Sequence, residues 1–98
     1  MNIQLRESLN EANNDAAFKK IYKMTDYNDH SGAIIEGLKF LKETKMVKMA
    51  EAVKELHNLE GHMPSELMKY RDSLYDRMMS IAKKKLSPED YKKFYGSF

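Results

Sequence analysis

The sequence predicts an all-α fold, a small bundle of four to six helices built around one antiparallel helical hairpin. The chain of 98 residues has only four glycines and two prolines, and Lys, Glu, Met, Leu and Ala dominate it. These residue types favour helix. No window alternates apolar and polar residues for long, so strand signals are scarce. In addition, two apolar stripes at helical spacing flank a short loop at 57–64.

The two stripes predict the hairpin helices at about 45–60 and 65–86. The first stripe is Met46, Met49, Val53 and Leu56, and the second is Leu67, Tyr70, Leu74, Met78 and Ile81. Between them, Gly61 is placed to end one helix in the left-handed conformation, and Pro64 to open the next near its first position. A loop this short makes the two helices antiparallel neighbours.

Ahead of the hairpin, the sequence predicts a helix over about 2–12 and a second over about 15–24. The first carries Leu5, Leu9 and Ala12 on one face, and the second carries Phe18, Ile21 and Tyr22. The run Asn13-Asn14-Asp15 offers an N-cap between them. One helix that continues through the asparagines is the alternative, because Asn is only mildly unfavourable within a helix.

Residues 25–30 form the best predicted loop of the first half, with Asp29 or Ser31 as the cap of the following helix. That helix is expected to bury Ile34, Leu38 and Leu41, with Ile35 and Phe40 at its margins. The stripe then changes phase, which predicts a break near Glu43-Thr44. A single helix over 31–60 is the alternative, since no Gly or Pro enforces the break.

The C-terminal helix has a strong start signal in Ser87-Pro88-Glu89-Asp90. Ser is a favoured cap, Pro suits the first helical position, and acidic residues suit the first turn. The predicted helix, about 88–95, places Tyr91, Phe94 and Tyr95 together, with Phe98 beyond Gly96. We likewise expect Ser31 and Ser65 to serve as caps.

Composition limits the class of protein. A length of 98 residues suits one domain spanning 1–98, and the net charge of +2 is shared evenly by the two halves, unlike a typical nucleic-acid-binding domain. The absence of cysteine excludes disulfides and thiolate chemistry and fits a reducing compartment. No apolar run could span a membrane, and the first residues lack a hydrophobic signal stretch. We therefore expect a cytoplasmic protein without a membrane partner.

Site chemistry is absent from the sequence, so we expect neither an enzyme nor a cofactor. There is no Gly-rich phosphate loop and no nucleophile elbow. The segment from Asp26 to Gly37 fails the calcium-loop pattern, because Ser31 stands at the sixth position and Gly37 at the twelfth. His57 and His62 lie five residues apart across a loop and do not have the spacing of zinc ligands.

The best functional candidate is the C-terminal segment, where lysines and aromatic residues alternate. The predicted partner-binding residues are Met79, Lys83, Lys84, Tyr91, Lys92, Phe94, Tyr95 and Phe98. Such a segment can dock another protein, or bind single-stranded nucleic acid by charge and stacking. In the structural alternative, the aromatics close the open end of the bundle and the lysines complement a helix dipole.

The leading functional hypothesis is a small interaction module that inhibits or adapts another protein, in the style of the accessory proteins of bacterial viruses. More large apolar residues lie near the helix margins than one narrow stripe uses: Ile35, Phe40, Met68, Tyr75 and Met79. Self-association into a homodimeric bundle is a variant of this hypothesis. The alternative is a nucleic-acid-binding regulator, in which the helices before residue 30 form a helix-turn-helix.

Overall fold

The computed structural model describes the backbone of residues 3–98 and the side chains of residues 14–98. This part of the chain forms an all-α bundle without strands, as the sequence predicts. Its helices are α1 (Ile3–Asp26), α2 (His30–Phe40), α3 (Thr44–Glu60), α4 (Ser65–Lys85) and α5 (Pro88–Gly96). The short helix α2 lies at the centre and packs against α1, α3 and α4, while α5 closes onto α1 and α4.

Helix α1 is continuous, so the predicted cap at Asn13-Asn14-Asp15 is wrong and the single-helix alternative is correct. The helix tolerates Asn14, whose side-chain nitrogen donates a hydrogen bond to Asp90 of α5 over 3.3 Å. Phe18 and Ile21 are buried as predicted, whereas Tyr22 is 60% exposed. The predicted face Leu5, Leu9 and Ala12 lies outside the described side chains.

A three-residue turn at 27–29 joins α1 to α2 and is shorter than the predicted loop. Asn28 takes a left-handed φ of 62°, and the Asp29 amide donates back to the Met24 carbonyl at 2.8 Å. This pattern is a Schellman closure, for which Asn is a common alternative to Gly. The Asp29 carboxylate then accepts from the Gly32 amide at 2.9 Å, so Asp29 is the cap and Ser31 is not.

The phase change after Leu41 does correspond to a break, and 31–60 is two helices. Lys42 adopts a φ of 61°, and the Glu43 amide donates to the Leu38 carbonyl at 3.0 Å, a second Schellman closure. Lys85 of α4 holds this corner through two contacts. Its ammonium group donates to the Leu41 carbonyl at 2.9 Å and lies 3.1 Å from a Glu43 carboxylate oxygen.

The residues that end α3 and begin α4 and α5 agree in part with the predicted caps. Gly61 takes a φ of 73° and ends α3, as predicted. Pro64 is the N-cap of α4, with Ser65 as the first helical residue, so the predicted Ser65 cap is wrong. Ser87 caps α5 by accepting from the Asp90 amide at 3.2 Å, with Pro88 in the first turn.

The buried stripes of α3 and α4 are rotated from the predicted ones. Met46, Val53, Leu74 and Met78 are buried, but Met49, Leu56 and Tyr70 are 40%, 48% and 42% exposed. The buried positions that the stripes omitted are Ala50, Met79 and Ala82. The buried arc of each helix therefore includes small residues that a search for large apolar side chains omits, and part of each predicted stripe lies outside that arc.

An aromatic cluster joins α5 to the central helix. The Phe94 ring lies 5.8 Å from Phe40, 6.1 Å from Phe18 and 5.2 Å from Phe98, measured between centroids. Gly37 makes room for it, since a Cβ there would lie 3.1 Å from the Phe94 ring and 2.7 Å from the Met78 sulfur. The absence of a side chain at Gly37 therefore sets how closely α4 and α5 approach α2.

Candidate partner-docking surfaces

The C-terminal residues predicted to bind a partner divide into a buried and an exposed group. Phe94 is fully buried and Met79 is 7% exposed, so burial removes both from any binding surface. Phe98 is half-buried, with its ring 5.6 Å from that of Tyr75. For these three residues the structural alternative applies, because the aromatic rings of α5 fold inward and close the bundle.

The other predicted residues stay at the surface. Lys83, Lys84, Lys92 and Tyr95 are exposed and Tyr91 is half-buried, with the two tyrosine rings 6.2 Å apart. Burial raises the pKa of the neighbouring Tyr75, and Tyr95, Asp76 and Tyr91 add to the shift. The phenol of Tyr75 is therefore held in its neutral form.

Most of the large apolar residues that were predicted to lie at the helix margins belong to the core or pack against it. Ile35 and Met79 are buried, and Phe40 and Tyr75 are packed against the core cluster. Only Met68, at 41% exposed, is at the surface as expected. The adjacent residues Met78 and Met79 are both buried, since α4 has α2, α3 and α5 as neighbours.

An exposed apolar surface does exist, on the side of the hairpin that faces away from α2. We call it the hairpin back face and define it by Met49, Leu56 and Leu59 of α3 and Tyr70 of α4. These side chains are 40%, 48%, 76% and 42% exposed. On α3, the three residues fall within about 80° of arc at 100° per residue.

The contacts of α2 with α3 and α4 show on which side of the two helices the hairpin back face lies. Lys54 and Glu55 of α3 line a shallow cavity with residues of α2, and Arg71 of α4 lines another with Ile34. Leu56 lies roughly 160° round α3 from Lys54. Tyr70 lies on the opposite side of the buried Leu74 from Arg71. The back-face residues of both helices therefore point away from α2.

A second surface is a groove of about 830 Å³ between α1 and α5. Its basic lining consists of Lys19, Lys20, Lys23 and Lys93, and Asp15 is the one acidic residue among the described lining side chains. One ion pair joins the two sides of the groove, with Lys93 3.9 Å from Asp15. Lys20 lies 3.4 Å from Glu36 of α2, which is not part of the described lining. All four lysine side chains are at the surface.

The groove also has apolar lining. Phe18, Tyr22 and Ala16 of α1 contribute to it, and Gly96 lies on the α5 side. A Cβ at Gly96 would meet no atom within 4 Å. The sequence reasoning missed this surface because it depends on α5 packing against α1. The usable signal was the segment Lys19-Lys20-Ile21-Tyr22-Lys23, where basic and aromatic residues alternate as they do in α5.

The described residues also show where the histidines lie and whether a metal site or a membrane-spanning helix is present. Within residues 14–98, no group of three His, Asp or Glu side chains could hold a metal ion. The Nδ1 atom of His62 lies 3.1 Å from the Glu60 carbonyl oxygen and donates to it in the tautomer that is protonated there, and His57 lies in the last turn of α3. No helix in the described part of the chain is long and apolar enough to cross a membrane.

Comparison with known proteins adds no family to this description. No protein-family model matches the chain, and neither a curated protein nor a solved structure matches it significantly.

Proposed function

We propose that this chain is a small, non-enzymatic interaction module that binds another protein through the hairpin back face and so inhibits or adapts it. The observation that carries the proposal is that four large apolar side chains are exposed on one side of α3 and α4. Single exposed apolar residues are normal on soluble proteins. Here Met49, Leu56, Leu59 and Tyr70 share one side of two adjacent helices, and contiguous apolar patches are typical of protein-binding sites.

The composition of the back face suits an interface. Tyr and Met are enriched at the centres of protein interfaces, where they supply large contact area. Tyr70 places a ring at the surface with its hydroxyl free to reach a partner. Methionine adapts its shape to irregular partner surfaces at small conformational cost. The sequence predicts the same class of function, but from a different set of apolar residues, those near the helix margins.

The chain supplies a matched pair of substitutions for the test. Met49 belongs to the back face and is 40% exposed. Met68 is 41% exposed and lies about 160° round α4 from the back-face residue Tyr70. Met49→Lys and Met68→Lys therefore make the same chemical change at equal exposure. We expect Met49→Lys to weaken partner binding by roughly 1–2 kcal/mol, the scale of a moderate interface residue, and Met68→Lys to leave it unchanged.

The assay is photo-crosslinking in the cells that produce the protein. A photoreactive phenylalanine analogue replaces Tyr70 in the back face and, as a control, the 82% exposed Tyr27 in the α1–α2 turn. The proposal expects a protein adduct of one defined mass from position 70, absent at position 27 and lost in the Met49→Lys background. Equal adducts from both positions, or none from position 70, would refute the use of this face.

Self-association through the same face is the variant to be separated from binding a different protein. An adduct of twice the chain's mass of 11.5 kDa indicates a homodimer, and any other mass a foreign partner. Sedimentation of the purified chain gives the independent answer. A homodimer sensitive to Met49→Lys would retain the back face as an interface but replace the proposed partner with a second copy.

Nucleic-acid binding through the C-terminal segment stays a prediction, without an observation that favours it. The proposed helix-turn-helix before residue 30 is wrong, because α1 is one continuous helix. Lys83, Lys84 and Lys92 are exposed, but the chain has only three arginines. A mobility-shift assay at low salt, where phosphate contacts are strongest, decides this alternative.

A further inference from the structure

We propose that the groove between α1 and α5 binds an acidic amphipathic helix of a partner protein. The inference rests on the proposed function, an interaction module, and adds the chemistry of what this module recognises at a second surface. The groove combines a rim of four lysines with an apolar lining from Phe18, Tyr22 and Ala16. An occupant must therefore present carboxylates at its edges and apolar side chains on its inner face.

Charge complementarity is the first argument for this occupant. The described lining contains four lysines and one aspartate, although the net charge of the whole chain is only +2. The lysines are Lys19, Lys20, Lys23 and Lys93. Basic charge is thus concentrated at this groove. Complementary potentials give an interface its specificity and speed its association. The ion pair Lys93–Asp15 is long, at 3.9 Å, and both side chains are exposed, so a partner carboxylate can replace Asp15.

Size is the second argument. Asp15 and Lys23, at the two ends of the α1 side, are eight residues apart, or about 12 Å along the helix axis. Two turns of a docked helix span about the same length. The α1 side of the groove is therefore long enough for two turns of a helix to lie along it.

The apolar lining favours a protein segment over nucleic acid. Helix-in-groove recognition uses apolar anchors at i, i+3 and i+4 against a hydrophobic floor, which Ala16, Tyr22 and Gly96 can provide. Binding of a single strand would need several exposed aromatic faces in succession for base stacking. In this groove, Phe18 is 6% exposed, so Tyr22 is the one aromatic side chain in the described lining that offers an open face.

Gly96 allows the groove to be blocked without disturbing the fold. Its Cβ position meets no atom within 4 Å, and its backbone lies outside the left-handed region. Gly96→Leu therefore fills the groove with a side chain that the bundle itself tolerates. Lys23→Glu is the second variant, which keeps the groove open but reverses one charge of the rim. Lys48→Glu, at an exposed lysine of α3, is the matched control for charge.

The probes are synthetic peptides of about twelve residues titrated into the full chain. The first carries leucines at i, i+3, i+4 and i+7 with glutamates elsewhere, and is stapled to hold it helical. The second has the same composition with the leucines dispersed round the helix. Binding is measured by fluorescence anisotropy and mapped by amide chemical shifts. A single-stranded oligonucleotide of equal charge is the third probe.

We expect the first peptide to bind in preference to the second, with shifts concentrated on α1 residues 15–23 and on α5. Gly96→Leu and Lys23→Glu should each weaken it by about tenfold, and Lys48→Glu by less than about twofold. Unchanged amide spectra in the free variants exclude misfolding. Met49→Lys should bind the peptide normally, so failure at the back face and failure at the groove are told apart.

Three results would overturn the inference. Equal affinity for the two peptides would show a charge effect without a helix site. Tighter binding of the oligonucleotide, with the same map, would make the groove a nucleic-acid site. Self-association that Gly96→Leu abolishes would make the occupant a second copy of this chain.

Discussion

The fully buried ring of Phe94 is the residue on which the role of the C-terminal helix depends. Its centroid lies 5.2–6.1 Å from those of Phe18, Phe40 and Phe98, so it joins α5 to α1 and α2. If α5 is part of the core, Phe94→Ala must leave a cavity among these rings. If α5 is only a docking segment, the same substitution should leave the stability of the bundle nearly unchanged.

The expected cost follows from burial. Truncating a buried Phe to Ala costs about 3–5 kcal/mol, and the edge-to-face neighbours place Phe94 toward the upper end. A chain of this length is stable by roughly 5–15 kcal/mol. With a urea m-value of about 1.5 kcal/mol/M, a loss of about 4 kcal/mol moves the unfolding midpoint down by roughly 2.7 M.

Urea unfolding followed by far-ultraviolet circular dichroism measures this cost. The control is Tyr95→Ala, one residue along the same helix, where the side chain is 56% exposed. It should cost less than about 1 kcal/mol, because little buried surface is lost. A loss below about 1 kcal/mol for Phe94→Ala, or equal losses for the two variants, would refute the packing of α5 described above.

Two further predictions concern the interior of the bundle. Gly37→Ala should destabilise by about 1–2 kcal/mol in the same assay. Its Cβ would lie 2.7 Å from the buried Met78 sulfur and 2.9 Å and 3.1 Å from the rings of Phe98 and Phe94, and this overpacking outweighs the gain of roughly 1 kcal/mol in helix propensity. A net stabilisation would contradict these contacts. The raised pKa of Tyr75 means that the folded state holds this proton more tightly than the unfolded state, so its contribution to stability is complete below pH 10 and falls as the pH rises through the raised pKa. Tyr75→Phe should make the urea midpoint less sensitive to pH above 10, and identical slopes for the two proteins would count against the burial of that phenol.

Local chemistry made some of the fold predictable from the sequence. Gly61 and the pair Ser87-Pro88 act through their own backbone preferences, and both are used as predicted. The break after Leu41 is indicated in the sequence by the change of phase of the apolar stripe. The Schellman hydrogen bonds that end the helix there have no such signal. Lys42 takes a left-handed φ that lysine rarely adopts, and Lys85, more than 40 residues away, holds the adjoining carbonyl. A contact so distant in sequence leaves no local signal.

The candidate surfaces were less predictable for a related reason. Helical periodicity shows that α3 has an apolar side, but not which part of a wide apolar arc has a neighbour. The buried arc uses Ala50, which a search for large residues overlooks, and it leaves Leu56 outside. Lys19 and Lys23 become part of a groove only because α5 packs beside α1, and the sequence does not show that packing. The sequence predicts Phe94 as a partner-binding residue because its spacing from the lysines is the same whether its ring lies in the core or at the surface.

The placement of alanine inside and larger apolar residues outside is the strongest general argument for an interaction role. Ala50 and Ala82 are 2% and 0% exposed, while Leu56 and Tyr70 are about half exposed. A leucine buried in place of an alanine would remove three more carbon groups from water, worth about 0.8 kcal/mol each. A core selected for stability alone would use its large apolar residues inside. Packing within the bundle can account for small residues at Ala50 and Ala82, but it gives no reason for Leu56, Leu59 and Tyr70 to lie at the surface. Their burial against a partner would recover the free energy that the isolated chain forgoes.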